Sequence, residues 1–172
     1  MRKNSQAIED NGGRLDKFIG DGIMALFGIE AGAQTGCRQA LAAMVEMSRV
    51  LEDLNAALQH DLDAPLRIGV GLHVGSVIVG EMGYSETMSV TAIGDAVNVA
   101  SRLEPMTKNY GAEVIVSVEV LTAAGLTLPP TDNDDISTDT VEVRGRDQAL
   151  DIIVLKRGVA LRDMLATVEA AE

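Results

Sequence analysis

Aromatic side chains are nearly missing from this chain: two Phe, two Tyr and no Trp. Any core must therefore be built from Val, Ile, Leu, Met and Ala. Cysteine occurs once, at Cys37, which excludes an intrachain disulfide and fits a reducing compartment. Histidine occurs only at His60 and His73, too few for a zinc-ligand cluster. Basic residues are scarce, 14 against 26 acidic, and the net charge of −12 argues against nucleic acid as a partner. A phosphate-bearing ligand would have to be held by a few local cations or by metal. No apolar run approaches the roughly 20 residues that span a bilayer, and the N-terminus has no signal-peptide pattern. The expectation is a cytoplasmic domain, whose full-length parent could still be membrane-anchored. At 172 residues, 47% hydrophobic and 23% charged, the chain is long and apolar enough to bury a single core.

What is present is organised around Leu15-Asp16-Lys17-Phe18-Ile19-Gly20-Asp21-Gly22-Ile23-Met24-Ala25-Leu26-Phe27-Gly28. Two apolar-rich runs flanking Gly20-Asp21-Gly22 predict a β-hairpin. Asp21 can be a turn residue serving local hydrogen bonds, or a carboxylate offered to a hard cation with Lys17 nearby. Before it, residues 3–11 read as a helix stopped by Gly12-Gly13. After it, Gly28 to Gly36 reads as a small-residue connection, and Leu41, Met44, Val45, Leu51, Leu54 and Leu58 predict a long helix over about 37–59. Leu66 to Gly80 reads as two strands joined near Gly75-Ser76. Gly69 and Gly71 there imply close approach of a helix or a ligand. Glu86 to Ile93 reads as a strand leading to Asp95 as helix N-cap, with the helix ended or kinked at Pro105. Asn98 and Arg102, four apart, share a face of that helix, which is either solvated or functional. Glu113 to Ser117 predicts a strand, followed by a short helix to Ala124. The acidic run 132–139 reads as a loop, residues 140–144 and 150–155 as a final strand pair, and the tail from Val159 as helical. Mixed strands and helices predict an α+β domain with helices on one face of an antiparallel-rich sheet.

Three segments together resemble the class III nucleotide cyclases, in that family's order. They are Asp16-Lys17-Phe18-Ile19-Gly20-Asp21-Gly22, Arg67-Ile68-Gly69-Val70-Gly71-Leu72-His73-Val74-Gly75, and Thr91-Ala92-Ile93-Gly94-Asp95-Ala96-Val97-Asn98-Val99-Ala100-Ser101-Arg102-Leu103-Glu104. The resemblance implies a ferredoxin-like cyclase catalytic domain over residues 1–157, followed by a helical tail over 158–172. It also implies conversion of ATP to 3′,5′-cyclic AMP and pyrophosphate with two magnesium ions, or manganese in their place. By the same resemblance Asp21 is a metal ligand, and Lys17 and Thr91 read the purine. Asn98 positions the ribose, Arg102 stabilises the transition state, and Arg146, in Arg144-Gly145-Arg146, meets the terminal phosphates. Lys17 with Thr91 favours adenine, because a guanine reader would need an acceptor at Lys17. The sites would form between two copies of the chain, with residues 81–90 as a dimer arm, and a sensor or membrane domain would lie upstream.

The resemblance breaks at the start. The family's opening strand, with its first metal aspartate, has no counterpart, and neither Glu9 nor Asp10 stands at a strand position that could replace it. The expectation is an N-terminally incomplete domain with little activity alone. A non-catalytic nucleotide-binding or dimerising module is the alternative from a different functional class. A polymerase palm is disfavoured by the short, acidic chain.

Overall fold

The computed structural model describes residues 1–82, 89–127, 134–146 and 148–169. The first helix, α1 (Arg2–Asp10), buries Ala7 and Ile8, and is followed by the hairpin β1 (Arg14–Ile19) and β2 (Gly22–Leu26). Ile19 faces Gly22, so Gly20-Asp21 forms a two-residue connection at the expected place. The long helix α2 (Gly32–Leu58) starts five residues before the expected position. Its first five residues include Gly32 and Gly36, poor helix formers that made the segment read as a connection. Packing overrides that preference: a Cβ on Gly36 would lie 2.5 Å from the Cα of Gly28. On the wet side of α2, Arg49 bonds Glu46 and Asp53.

Next come β3 (Val70–Leu72), β4 (Ile78–Met82) and β5 (Ser89–Ile93). The two strands expected between Leu66 and Gly80 exist as β3 and β4, shorter than expected and in different sheets. β3 pairs in parallel with β6 (Val114–Ser117), whereas β4 pairs antiparallel with β5. Residues 83–88, in the middle of the expected dimer arm and at the start of the expected 86–93 strand, lie outside the described residues.

Helix α3 (Asp95–Tyr110) carries two departures. Gly94, not Asp95, occupies the N-cap, and Asp95 begins the helix as a first-turn acid, where it suits the helix dipole. Pro105 sits inside the helix, which continues to Tyr110. Leu103 and Thr107, on either side of the proline, are buried and hold the helix against the sheet despite the missing N–H.

After β6 come α4 (Val118–Ala124), β7 (Ile136–Val141) and β8 (Leu150–Leu155). β7 begins inside the acidic run read as a loop. Only its ends, Ile136 and Val141, are apolar, while its middle is exposed at the sheet edge, where charged side chains are usual. The expected pairing with β8 holds, Val141 facing Leu150 and Ile136 facing Leu155. A 3-10 turn over Gly158–Leu161 then leads into α5 (Arg162–Glu169), the helical tail.

The sheet order β3-β6-β8-β7 forms the centre, and β6 and β8 are apolar at nearly every position. Strands of that kind need cover on both faces. Val114, Val116, Ile153 and Leu155 pack with Leu41 and Met44 of α2 and Leu121 of α4. Ile115, Ile152 and Val154 pack with Val99 and Leu103 of α3 on the other face. The α+β class and the predominance of antiparallel pairing are as expected. The one-face packing describes α2 and α4, with α3 added on the reverse face. The approach of α3 explains Gly71: a Cβ there would lie 2.5 Å from the backbone nitrogen of Glu104. A helix, rather than a ligand, occupies that space.

Candidate active site

Two clusters of expected site residues emerge, on opposite sides of the α3 N-terminus in the chain. The first is built on β1. Leu15 faces Ala25 and Lys17 faces Met24, so Asp16 is the extra residue of a β-bulge. Bulges re-aim side chains, and here neighbours that would point to opposite faces of a regular strand converge. The Asp16 side chain is 1% exposed, and the Lys17 ammonium lies 3.3 Å from its Oδ2. The same oxygen accepts a hydrogen bond of 2.8 Å from the hydroxyl of Thr91, a buried residue of β5. Asp16 thus joins the two expected purine readers, and its hydrogen bond to Thr91 links the β1–β2 hairpin to the β4–β5 pair. Asp16 Oδ1 is buried with no partner among the described residues, an arrangement that costs about 1–3 kcal/mol. Such a carboxylate is a poor choice for stability alone. Sequence reasoning gave Asp16 no role. The available signal was a charged residue beside a lysine within a strand otherwise rich in apolar side chains.

The second cluster gathers at the loop after β7. Asn98 is exposed and Arg102 half-buried, one turn apart on α3 as their spacing requires. Gly145 adopts a left-handed φ of 87°, and a Cβ there would come 3.3 Å from Nη1 of Arg102. The turn is closed by the Arg146 N–H, which donates to the Val143 carbonyl at 3.0 Å. The Arg146 guanidinium meets His73 Nε2 at 3.3 Å. Arginine only donates, so Nε2 carries the lone pair, and Nδ1–H donates to the buried Ser117 hydroxyl at 2.8 Å. His73 is half-buried, one residue beyond β3. Burial lowers its pKa first, and the Arg146 charge adds to the lowering, against the opposing pull of Glu119 and Asp95. His73 is a second residue missed at the site, holding Arg146 rather than meeting a substrate. Residues Glu142 to Arg146, with Gln148 and Ala149, line an open depression there.

Asp21 stands exposed at the hairpin tip. Among the described residues it has no hydrogen-bond or ion-pair partner, and no three His, Cys, Asp or Glu side chains gather into a cation site. Asp21 offers the hard oxygen that magnesium prefers, but one carboxylate is not a coordination set. The described residues of a single chain therefore do not fit a two-metal centre by themselves. Lys17 and Thr91 are brought together, and Arg102 is brought beside the Gly145-Arg146 turn. Asp21 is brought to neither an acidic partner nor another site residue.

Known proteins resemble this chain in sequence and in fold. The family model of the adenylate and guanylate cyclase catalytic domain matches residues 6–156. An adenylate cyclase of Anabaena cylindrica is 37% identical over 155 residues, covering 88% of this chain and 30% of that protein. Adenylate cyclase 1 of Rhizobium meliloti (strain 1021) is 33% identical over 155 residues, 86% of this chain and 22% of that protein. The chain thus spans under a third of the length of these relatives. Among solved structures, the guanylyl cyclase Cya2 superposes with a TM-score of 0.73 at 30% identity, covering 90% of this chain and 75% of that one. The adenylyl cyclase CyaB from P. aeruginosa gives 0.71 at 26% identity, covering 90% and 76%. With the motifs, the fold and the match over residues 6–156 in agreement, the chain belongs to the adenylate and guanylate cyclase catalytic domain family.

Proposed function

We propose that this chain is the catalytic domain of an adenylate cyclase, forming 3′,5′-cyclic AMP and pyrophosphate from ATP. The observation that carries the choice of ATP is the pairing of Lys17 and Thr91 on the Asp16 carboxylate. An ammonium beside a hydroxyl offers a donor for a purine ring nitrogen and an acceptor for an exocyclic amino group. In this reading the ribose 3′ oxygen attacks the α-phosphorus. A phosphorus–oxygen bond forms, the bond to pyrophosphate breaks, and the hydroxyl proton leaves. Asn98 orients the ribose so that the attack is in line. Arg102 carries no ion pair among the described residues, so its charge is available to the developing negative charge on phosphorus oxygens. Arg146, steadied by His73, receives the terminal phosphates. Divalent metal, when bound, would acidify the attacking hydroxyl and neutralise the leaving phosphates, with Asp21 as this chain's contribution to holding it.

A homodimer is part of the same reading. Ile78 and Ile93 face each other across β4 and β5 and are 73% and 57% exposed, while Phe18 and Ile19 of β1 are also exposed. Such apolar surface suits a second copy of the chain, which would bring the missing site groups alongside. A regulatory or membrane-attached region elsewhere in the whole protein fits the greater length of the relatives. No described helix is long and apolar enough to cross a membrane.

The deciding experiment measures cyclic AMP formation from ATP with magnesium or manganese. It is run on this chain and on any in-frame extension upstream of Met1. Arg102→Ala is expected to lower turnover by about 10²–10³-fold with unchanged melting, and Asp21→Ala to raise the metal requirement. Dimer formation without turnover in either form would instead support a non-catalytic module.

A further inference from the structure

Asp16 is buried beside the purine readers, yet the chemistry above gives it no task beyond pairing them. We propose that Asp16 determines base specificity: by taking the hydroxyl proton of Thr91, it leaves Thr91 able only to accept. The site then selects a purine with an amino group at that edge over one with a carbonyl. This inference rests on the reading of Lys17 and Thr91 as purine contacts.

A threonine hydroxyl has one proton and two lone pairs, so on its own it can face either an amino group or a carbonyl. Here the proton is engaged by Asp16 Oδ2 at 2.8 Å. A carboxylate offers only acceptors, so the direction of that bond is settled and the lone pairs of Thr91 remain for the ligand. An incoming carbonyl would meet an acceptor. To turn and donate, Thr91 would have to abandon Asp16, whose other oxygen is already buried without a partner among the described residues. The Lys17 ammonium lies 3.3 Å from the same Oδ2 and has further protons for a purine ring nitrogen. The bulge at Asp16 is what allows one carboxylate to serve both readers. The bond to Thr91 also ties β1 to β5, but a purely structural tie would be indifferent to the identity of the base.

The test compares turnover of ATP and GTP, as the ratio of kcat/KM values, in the active form of the protein. Asp16→Leu removes the acceptor and is expected to lower the preference for ATP about tenfold, the range of one hydrogen bond. Asp16→Asn, whose amide oxygen can still accept from Thr91, is expected to restore part of it. In a Thr91→Val background, Asp16→Leu should leave the ratio where Thr91→Val put it. An unchanged ratio in Asp16→Leu, or an equal fall in the Thr91→Val background, would overturn the proposal. The lock can also be read without turnover. In the nucleotide-free protein the Thr91 hydroxyl proton should exchange slowly enough to be seen by NMR, and should vanish in Asp16→Leu. A parent that turns over neither nucleotide counts against the cyclase reading. The hydroxyl signal then still decides the lock, its absence in the parent overturning it.

Discussion

Replacing Gly71 with alanine perturbs the packing of α3 without touching any group assigned to substrate. A Cβ at this position would lie 2.5 Å from the Glu104 nitrogen and closer still to the Ala100 carbonyl oxygen. Both are backbone atoms of α3, so no side-chain rotation relieves the contact. The helix must withdraw by something on the order of 1 Å to restore van der Waals separation, against a core that includes Val99 and Leu103 at zero exposure. Overpacking of this kind costs about 1–3 kcal/mol, which for a domain of this length lowers the melting temperature by about 5 °C. The same displacement moves Asn98 and Arg102, which lie on either side of Ala100. A misplacement of about 1 Å at reacting groups can cost about 10²-fold in rate. Thermal melts and cyclic AMP assays on Gly71→Ala should show both losses. Gly80→Ala, at a position with nothing within 4 Å of the added Cβ, should leave the melting temperature unchanged. Wild-type melting and activity in Gly71→Ala would refute the account of α3 as a helix seated on the Gly71 backbone.

Two further outcomes follow from groups outside the central sheet face. Burial and Arg146 lower the pKa of His73 below its unfolded value of about 6.5, so the neutral form favours the fold. That stability is present above the unfolded pKa and is lost as pH falls through the folded one. Urea melts should therefore weaken between about pH 7 and 5, the slope should flatten in His73→Gln, and an NMR titration placing His73 at or above 6.5 would contradict the Arg146 contact. Glu113 Oε2 accepts from both the Ser48 hydroxyl and the Gly158 N–H, fastening the turn that buries Leu161. Glu113→Ala should cost about 1–3 kcal/mol in urea melts and open the chain after Lys156 to limited proteolysis, whereas an unchanged cleavage pattern would show that Leu161 alone holds the turn.

Elements with strong local signals stand where the residue pattern placed them: α1 with its Gly12-Gly13 stop, the hairpin at Gly20-Asp21, the core of α2, β6, α4 and β8. The departures share one cause, which is that packing outweighed local preference. Gly32 to Gly36 is a weak helix former by composition, but its lack of side chains lets α2 start against Gly28. Pro105 breaks isolated helices, yet buried Leu103 and Thr107 carry α3 past it. The polar middle of β7 hides a strand because an edge strand exposes its side chains while its backbone pairs with β8. The separation of β3 from β4 into different sheets could not be read from a glycine-rich run, since either strand could have found its partner locally.

The candidate site divides the same way. The spacing of Asn98 and Arg102 makes them helix-face neighbours whatever the tertiary structure, because four residues nearly complete a turn. The hairpin likewise fixes Lys17 within β1 and Asp21 at the tip. The order of residues alone therefore determined the family, the helix-face pair and those secondary elements with strong local signals. Only the tertiary structure decided that Thr91, 75 positions along the chain, gives its proton to Asp16. It also decided that Arg146 rests on His73, 73 positions away. Hydrogen bonds over such separations depend on which strands and loops dock and on a bulge that turns one side chain. No periodicity in the sequence encodes those.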